Sequence, residues 1–277
     1  MLGQKKIARK PVMALMGEFS AGKSTLANLL LGEGRSPVKV TATQLPPVWF
    51  SHGDGQSYAV DLQGEHTPVA LNEMESVSVA DTSHIRIFMK SEILEIMDII
   101  DMPGNSDPNM SPEVWQRALH HADGVIWCTH ATQAWRQSEA AVWDDLPVEL
   151  QENSLLLLTR FDKILNETDG ARVLRRVKSE TDGLFRGVFP VSLTQAMGAG
   201  DDIDAWNASG AEQFTQALLE IVLGVGGKVD AEANAPIPLR PAPEASAGSV
   251  VMPRRVAVSS DDANSTRPVR DIRRPVA

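Results

Sequence analysis

Nine consecutive residues, Gly17-Glu18-Phe19-Ser20-Ala21-Gly22-Lys23-Ser24-Thr25, carry the spacing G-x-x-x-x-G-K-[ST]. Such a run can hold a chain of phosphates. Gly17 and Gly22 allow turns that a residue with a Cβ resists, so successive backbone N–H groups converge on phosphate oxygens at the positive end of a helix. The Lys23 ammonium would reach the β and γ phosphates, and the Ser24 hydroxyl would hold magnesium. Further along, Asp101-Met102-Pro103-Gly104 closes an apolar run and fits D-x-x-G. In that pattern the Asp orders magnesium through water and the Gly N–H meets the γ phosphate. A third group, Thr159-Arg160-Phe161-Asp162, follows four leucines and stands close to [NT]-K-x-D. A carboxylate at Asp162 can accept both the ring N–H and the exocyclic amine of guanine, whereas adenine offers a mismatched edge. Guanine is therefore favoured over adenine, with the flat Arg160 guanidinium stacking over the purine where a Lys is usual. Ser192, after Phe189-Pro190-Val191, stands where a last base contact is expected. Thr41 and Thr43 both lie in the loop after the first helix, where a hydroxyl senses magnesium and the γ phosphate, and spacing does not choose between them.

These groups need elements to hold them. Residues 12–16 read as a buried parallel strand and residues 23–31 as a helix with Leu26, Leu29 and Leu30 on its inner face, so the glycines fall between strand and helix. Residues 48–51 and 57–62 flank an Asp54-Gly55 turn signal and predict a hairpin. A short helix is expected within 69–80. Residues 85–89 and 93–100, joined by Lys90-Ser91-Glu92, predict an antiparallel pair, in which Asp98 is an unexplained polar residue. From Asp101 onward strands at 124–128, 154–159 and 187–192 alternate with helices at 112–122, 138–146, 171–180 and 210–223. That alternation predicts a P-loop α/β three-layer sandwich, a mostly parallel sheet with helices on both faces.

Composition limits the alternatives. The 277-residue chain has a formal net charge of −10, which argues against a DNA partner held by bulk electrostatics. Cys128 is the single cysteine, so no disulfide framework or zinc spacing arises. No run of apolar residues is long enough to span a bilayer, and the cytoplasm is the expected location. Residues 1–10 form a basic lead through Lys5, Lys6, Arg9 and Lys10, and residues 11–226 are expected to form one domain. After residue 227 there is no aromatic residue and 7 of the 17 prolines lie beyond residue 235, so a disordered C-terminal tail is expected over 227–277. Its arginines at 240, 254, 255, 267, 270, 273 and 274 alternate with Asp261, Asp262 and Asp271, as in a solvated tail. Trp127, Trp135 and Trp143 are expected to pack in the core, and the adjacent His120 and His121 to be solvated.

Gly-Glu-Phe-Ser-Ala-Gly-Lys-Ser-Thr-Leu, the Val-Thr-Ala-Thr run at 40–43 after Pro37, Asp-Met-Pro-Gly and Thr-Arg-Phe-Asp together resemble the GTPase domain of bacterial dynamin-like proteins. The likeness covers residues 11 to 225. It implies a domain with an enlarged sheet that binds GTP and GDP with Mg2+ and hydrolyses GTP, and a Ser20 that helps to hold a monovalent cation when two domains face each other. Relatives that remodel membranes carry a long helical stalk and a lipid-binding tip, and neither pattern is seen here. The resemblance therefore implies a GTP-dependent homodimer, or pairing with a stalk-bearing partner, with peripheral contact at the inner membrane. A GTP-controlled switch or assembly factor with a protein or ribosomal partner is the alternative. Asn105 stands where many small GTPases place a water-orienting Gln, so hydrolysis is expected to be slow alone and faster on pairing.

Overall fold

The computed structural model describes residues 10–32, 45–104 and 112–225. Thr41, Thr43, Asn105, residues 1–9 of the basic lead and the expected tail at 227–277 lie outside the described residues.

Five apolar residues in a row make β1 (Val12–Met16), buried on both faces as expected of a central parallel strand. The chain then turns through the glycine-rich loop into α1 (Lys23–Leu31). Three strands follow, β2 (Val48–His52), β3 (Tyr58–Asp61) and β4 (His66–Pro68), then a 3-10 turn at Leu71–Ser76 inside the span expected to be helical. Next come β5 (Thr82–Met89), α2 (Glu92–Ile96) and β6 (Asp98–Asp101). The remainder alternates: α3 (Pro112–Leu119), β7 (Gly124–His130), α4 (Gln137–Asp144), α5 (Val148–Gln151), β8 (Leu155–Thr159), α6 (Glu167–Glu180) and β9 (Gly187–Pro190). Three helices, α7 (Leu193–Gly198), α8 (Ile203–Ala208) and α9 (Ala211–Val225), close the described chain.

All nine strands among the described residues join one sheet in the order β4-β3-β5-β2-β6-β1-β7-β8-β9. The half from β6 through β9 is parallel, and so is the β2–β5 pair, while β2–β6, β3–β5 and β3–β4 are antiparallel. The sheet is thus mixed and mostly parallel, with an apolar core on each face. One core packs α1, α7 and α9 against Met13, Leu15, Phe50, Ile85 and Ile87. The other packs α3, α4 and α6 against Ala14, Trp49, Ile100 and Trp127. Trp127, Trp135 and Trp143 meet edge to face in that second core, with ring centroids 5.8–6.3 Å apart.

Two expected pairings are not formed. β2 and β3 do not make a hairpin, because β5 lies between them, parallel to β2 and antiparallel to β3. Nor do residues 85–89 and 93–100 pair, since β2 separates β5 from β6 and residues 92–96 are a helical turn with Leu94 buried. β5 carries Ile85 and Ile87 on one face and His84 and Arg86 on the other, and the described fold covers both of its edges. A local turn signal does not report such an insertion, which depends on strands far apart in sequence.

Asp98 has an account. Its carboxylate is 2.8 Å from Lys10 Nζ and accepts Trp49 Nε1 at 2.9 Å, Ser51 Oγ at 2.7 Å and Arg86 Nη2 at 3.2 Å. Buried charge is tolerated here because cations and hydrogen-bond donors surround it. His121 is exposed, as expected, but its ring packs 5.1 Å from Trp49 and is not simply solvated.

Candidate functional site

The glycine-rich loop leaves the carboxyl end of β1, at the centre of the sheet. Gly17 has a φ of 134°, and a Cβ there would overlap the Cys128 carbonyl of β7. Glycine is required because the loop lies directly on the neighbouring strand. On the other side, Gly104 presses its backbone against the loop, where an added Cβ would come within 2.9 Å of Phe19 N. The D-x-x-G group and the glycine-rich loop are therefore in contact, although the Lys and Asp that define them are far apart in sequence.

Lys23 Nζ donates to the carbonyls of Gly17 at 2.9 Å and Glu18 at 2.8 Å, bridging the loop from beneath. Burial lowers the pKa of this ammonium, and the Asp101 carboxylate opposes that shift. Ser24 Oγ donates to Asp101 Oδ2 at 3.3 Å. Burial raises the Asp101 pKa to about 6 against the pull of Lys23 and Ser24, and its Oδ1 is buried with no hydrogen-bond partner. A hydroxyl beside an incompletely satisfied carboxylate at the foot of a phosphate-type loop fits a magnesium ion, a hard cation that takes one or two protein oxygens and completes its shell with water and phosphate. Bound there, it would neutralise charge on the phosphates. Ser24 and Asp101 are the described residues that would hold it. Thr25 is half-buried in the first turn of α1, and Ala21 is buried under the loop.

Across the loop, Arg160 Nη2 donates to Ser20 O at 3.2 Å. Ser20 and Arg160 both take positive φ, 60° and 52°, values that non-glycine residues reach only when neighbours hold them. Thr159, the first residue of the third group, turns its hydroxyl toward the glycine-rich loop. It is fully buried, and its hydroxyl donates to Ala21 O at 2.7 Å and Thr129 O at 3.1 Å, so it braces the loop from below. Ser192, too, faces Asp162 with its hydroxyl, donating to Oδ1 at 2.8 Å, and also caps α7. Partial burial of Asp162 works against ionisation, but the Ser192 and Lys163 hydrogen bonds prevail and hold its pKa below the usual carboxylate value.

Other contacts of the loop were not legible from the motifs. Glu18, inside the loop, accepts Arg136 Nη1 at 2.8 Å and Ser138 Oγ at 2.8 Å. Glu139, 2% exposed, accepts Trp127 Nε1, Thr129 Oγ1 and the Arg136 backbone N–H at 3.0, 2.9 and 3.0 Å. More than a hundred residues separate Glu18 from these partners, and no spacing rule links them.

This constellation matches a known family. Residues 13–161 match the Dynamin family. The chain belongs to the dynamin family. The glycine-rich loop, the D-x-x-G group and Thr159-Arg160-Phe161-Asp162 stand at the carboxyl ends of β1, β6 and β8. Dynamin-like protein 2 of Campylobacter jejuni is 27% identical over 194 residues, 66% of this chain and 31% of the relative. The isoniazid-induced protein IniC of Mycobacterium tuberculosis is 28% identical over 129 residues, 43% of this chain and 26% of the relative. A solved structure of an oligomerised bacterial dynamin pair, described as providing a mechanism for long range sensing and tethering of membranes, superposes with a TM-score of 0.57 at 18% identity. It covers 78% of this chain and 36% of that one, and at that identity shows the fold alone. The chain spans about a third or less of the length of these curated relatives. No described helix is long and apolar enough to cross a membrane.

Proposed function

We propose that the chain binds GTP with magnesium and hydrolyses it, slowly alone and faster when two domains pair across their nucleotides. The reading rests on one arrangement: a lysine, a hydroxyl and a buried carboxylate gather on one side of the loop, and Arg160, Asp162 and Ser192 on the other. The loop amides and Lys23 take the phosphates, Ser24 and Asp101 the metal, and Gly104 the γ phosphate. Thr41 or Thr43 completes the metal shell. Asp162 reads the guanine edge, oriented by Ser192, while the Arg160 stem flanks the base. Ser20, with its constrained backbone, helps to hold a monovalent cation that offsets transition-state charge, and the domain uses no protein base.

Pairing is with a second copy or with a stalk-bearing partner, at the inner face of a membrane; membership of the dynamin family and the description of a similar fold as an oligomerised, membrane-tethering pair favour oligomerisation and membrane contact in general. The test is turnover per molecule across a wide range of protein concentration, in potassium and in sodium, with and without anionic liposomes. Turnover should climb with concentration and with potassium, and protein should sediment with liposomes when GTP is present. Turnover flat in all these variables would remove pairing and the cation from the mechanism. Concentration-dependent turnover without liposome binding would leave a GTP-controlled switch in place of a membrane protein.

A further inference from the structure

The phosphate loop is tied to α4 at both ends of its exposed segment. At the front, each Glu18 carboxylate oxygen is taken by the start of α4: Oε2 by Nη1 of Arg136, the capping residue, and Oε1 by Ser138 Oγ in the first turn, both at 2.8 Å. At the rear, Glu139 of the same turn accepts Thr129 Oγ1, and Thr159 Oγ1 bridges the carbonyls of Thr129 and Ala21. Between the two ties lie Phe19 and Ser20, both exposed, with Ser20 at positive φ. A cavity of about 320 Å³ separates this segment from Thr129, His130, Gln133 and Arg136, so little packing supports the loop from that side. The rear tie is buried and the front tie is partly open, with the Arg136 side chain 45% exposed and Glu18 18%.

We propose that Glu18 is a positioning residue that fixes the phosphate loop through Arg136 and Ser138. Its task is to set where the amides of residues 19–21 point, and it touches neither nucleotide nor metal. A residue in this loop position has no need of a carboxylate to bind phosphate, and a negative charge there works against an anionic ligand unless a cation neutralises it. Arg136 does so and converts the charge into a fixed geometry, because both oxygens are held by one helix end. The helix can pass a displacement to Ser20 through this contact. A half-exposed ion pair contributes little to folding, so removing it should leave stability almost unchanged and act on the ligand instead. The proposal rests on the GTP reading above.

The experiment compares wild type with Glu18→Ala, Glu18→Gln, Arg136→Ala, Arg136→Lys, Ser138→Ala and the Glu18→Ala/Arg136→Ala double variant. It measures affinity for a fluorescent GTP analogue, the split between kcat and KM, and thermal melting. Misplaced loop amides should weaken affinity about tenfold in Glu18→Ala and in Arg136→Ala, with melting nearly unchanged and the preference for guanine over other bases retained. The double variant should be no weaker than either single one. Arg136→Lys and Glu18→Gln, which keep a hydrogen bond, should recover most of the loss, and Ser138→Ala should fall between. Additive losses, or an Arg136→Ala protein with wild-type affinity, would overturn the proposal, because Glu18 would then act without its partner. Melting that falls in step with affinity would also overturn it, by making the tie a folding contact. Failure of the wild-type protein to bind the analogue would be recognised separately, as failure of the GTP reading itself.

Discussion

Ser192 Oγ donates to Asp162 Oδ1 at 2.8 Å, joining the start of α7 to the turn after β8. The hydroxyl fixes one carboxylate oxygen, which leaves the plane of the group set by the protein before any base arrives. Replacing Asp162 with Asn exchanges an acceptor for a donor and should move preference from guanosine toward xanthosine nucleotides, with GTP affinity lowered about 100-fold or more. Ser192→Ala should weaken GTP about tenfold and leave base preference intact, since the carboxylate remains but is less well held. Competition titrations with the two triphosphates measure both. Unchanged base choice in Asp162→Asn would remove this residue from the site.

Asp101 is a carboxylate kept in an unfavourable place. Its pKa is raised to about 6 because burial outweighs Lys23 and Ser24, so at pH 7 its charged form strains the protein in the absence of a cation. Asp101→Asn should therefore stabilise the ligand-free protein by about 1 to 3 kcal/mol, seen as a higher melting temperature, while it abolishes stabilisation by GTP and magnesium. Lys23→Ala should also lose nucleotide, without that gain, because it removes the ammonium that offsets the buried carboxylate. Thermal melts with and without magnesium and GTP separate the two variants. A melting temperature that drops in ligand-free Asp101→Asn would show that the carboxylate's interactions outweigh its burial.

Much of this was legible because it is local. Gly17 to Thr25, Asp101 to Gly104 and Thr159 to Asp162 each sit at the end of a buried strand, and the strong apolar runs of β1, β7 and β8 give those strands away. The order of β2, β3, β5 and β6 was not legible. A strand paired on both edges, such as β5, is chosen by distant partners, and an Asp-Gly pair signals a reversal without saying what will enter the gap. Short helices such as α2, α5 and α8 carry too few residues for a periodic signal. The hydrogen bonds of Thr159 to Ala21 O and of Ser192 to Asp162 were not legible either, because a motif gives residue types and not the direction a hydroxyl points. Glu18 was legible as part of the glycine-rich run, but its tie to Arg136 and Ser138 was not, since those partners stand at the start of α4.

The buried cluster at Asp98 makes a prediction about folding rather than chemistry. Lys10 Nζ, itself buried, lies 2.8 Å from Oδ1, and Arg86, Trp49 and Ser51 all donate to Oδ2. Asp98→Ala strands two cations and two hydrogen-bond donors away from water and should cost about 3–5 kcal/mol. Asp98→Asn keeps an acceptor and should cost less. Urea unfolding measures both, and nucleotide affinity of the folded fraction should be unaltered because Asp98 is at the far end of β6 from Asp101. A loss below about 1 kcal/mol in Asp98→Ala would mean that water reaches the cluster.

His84 gives the chain an acid-sensitive point on the face of the sheet beside α3. Its side chain is 7% exposed, with Ser83 Oγ 3.3 Å from Nδ1, the Trp49 ring 5.1 Å away and His121 5.8 Å away. Burial, then the charges of His121, Arg86 and His66, lower its pKa from the ordinary value to about 3. The unfolded chain takes up a proton near pH 6.5, whereas the folded protein resists until about pH 3, so between those values the unfolded state binds more protons and stability falls as pH falls. Stability from the neutral ring is complete above pH 6.5. It should decline by up to about 1.4 kcal/mol for each pH unit below that. Urea unfolding at pH 7, 6, 5 and 4.5 should show this slope in wild type and a shallower one in His84→Gln, which has no proton to take up. Carboxylates titrate in the lower part of this range in both proteins, so the difference between the two slopes is the quantity to read. Parallel slopes would mean that the folded protein already accommodates a protonated His84, and with it a charge among Arg86, His121 and Trp49 that this packing leaves no room to solvate.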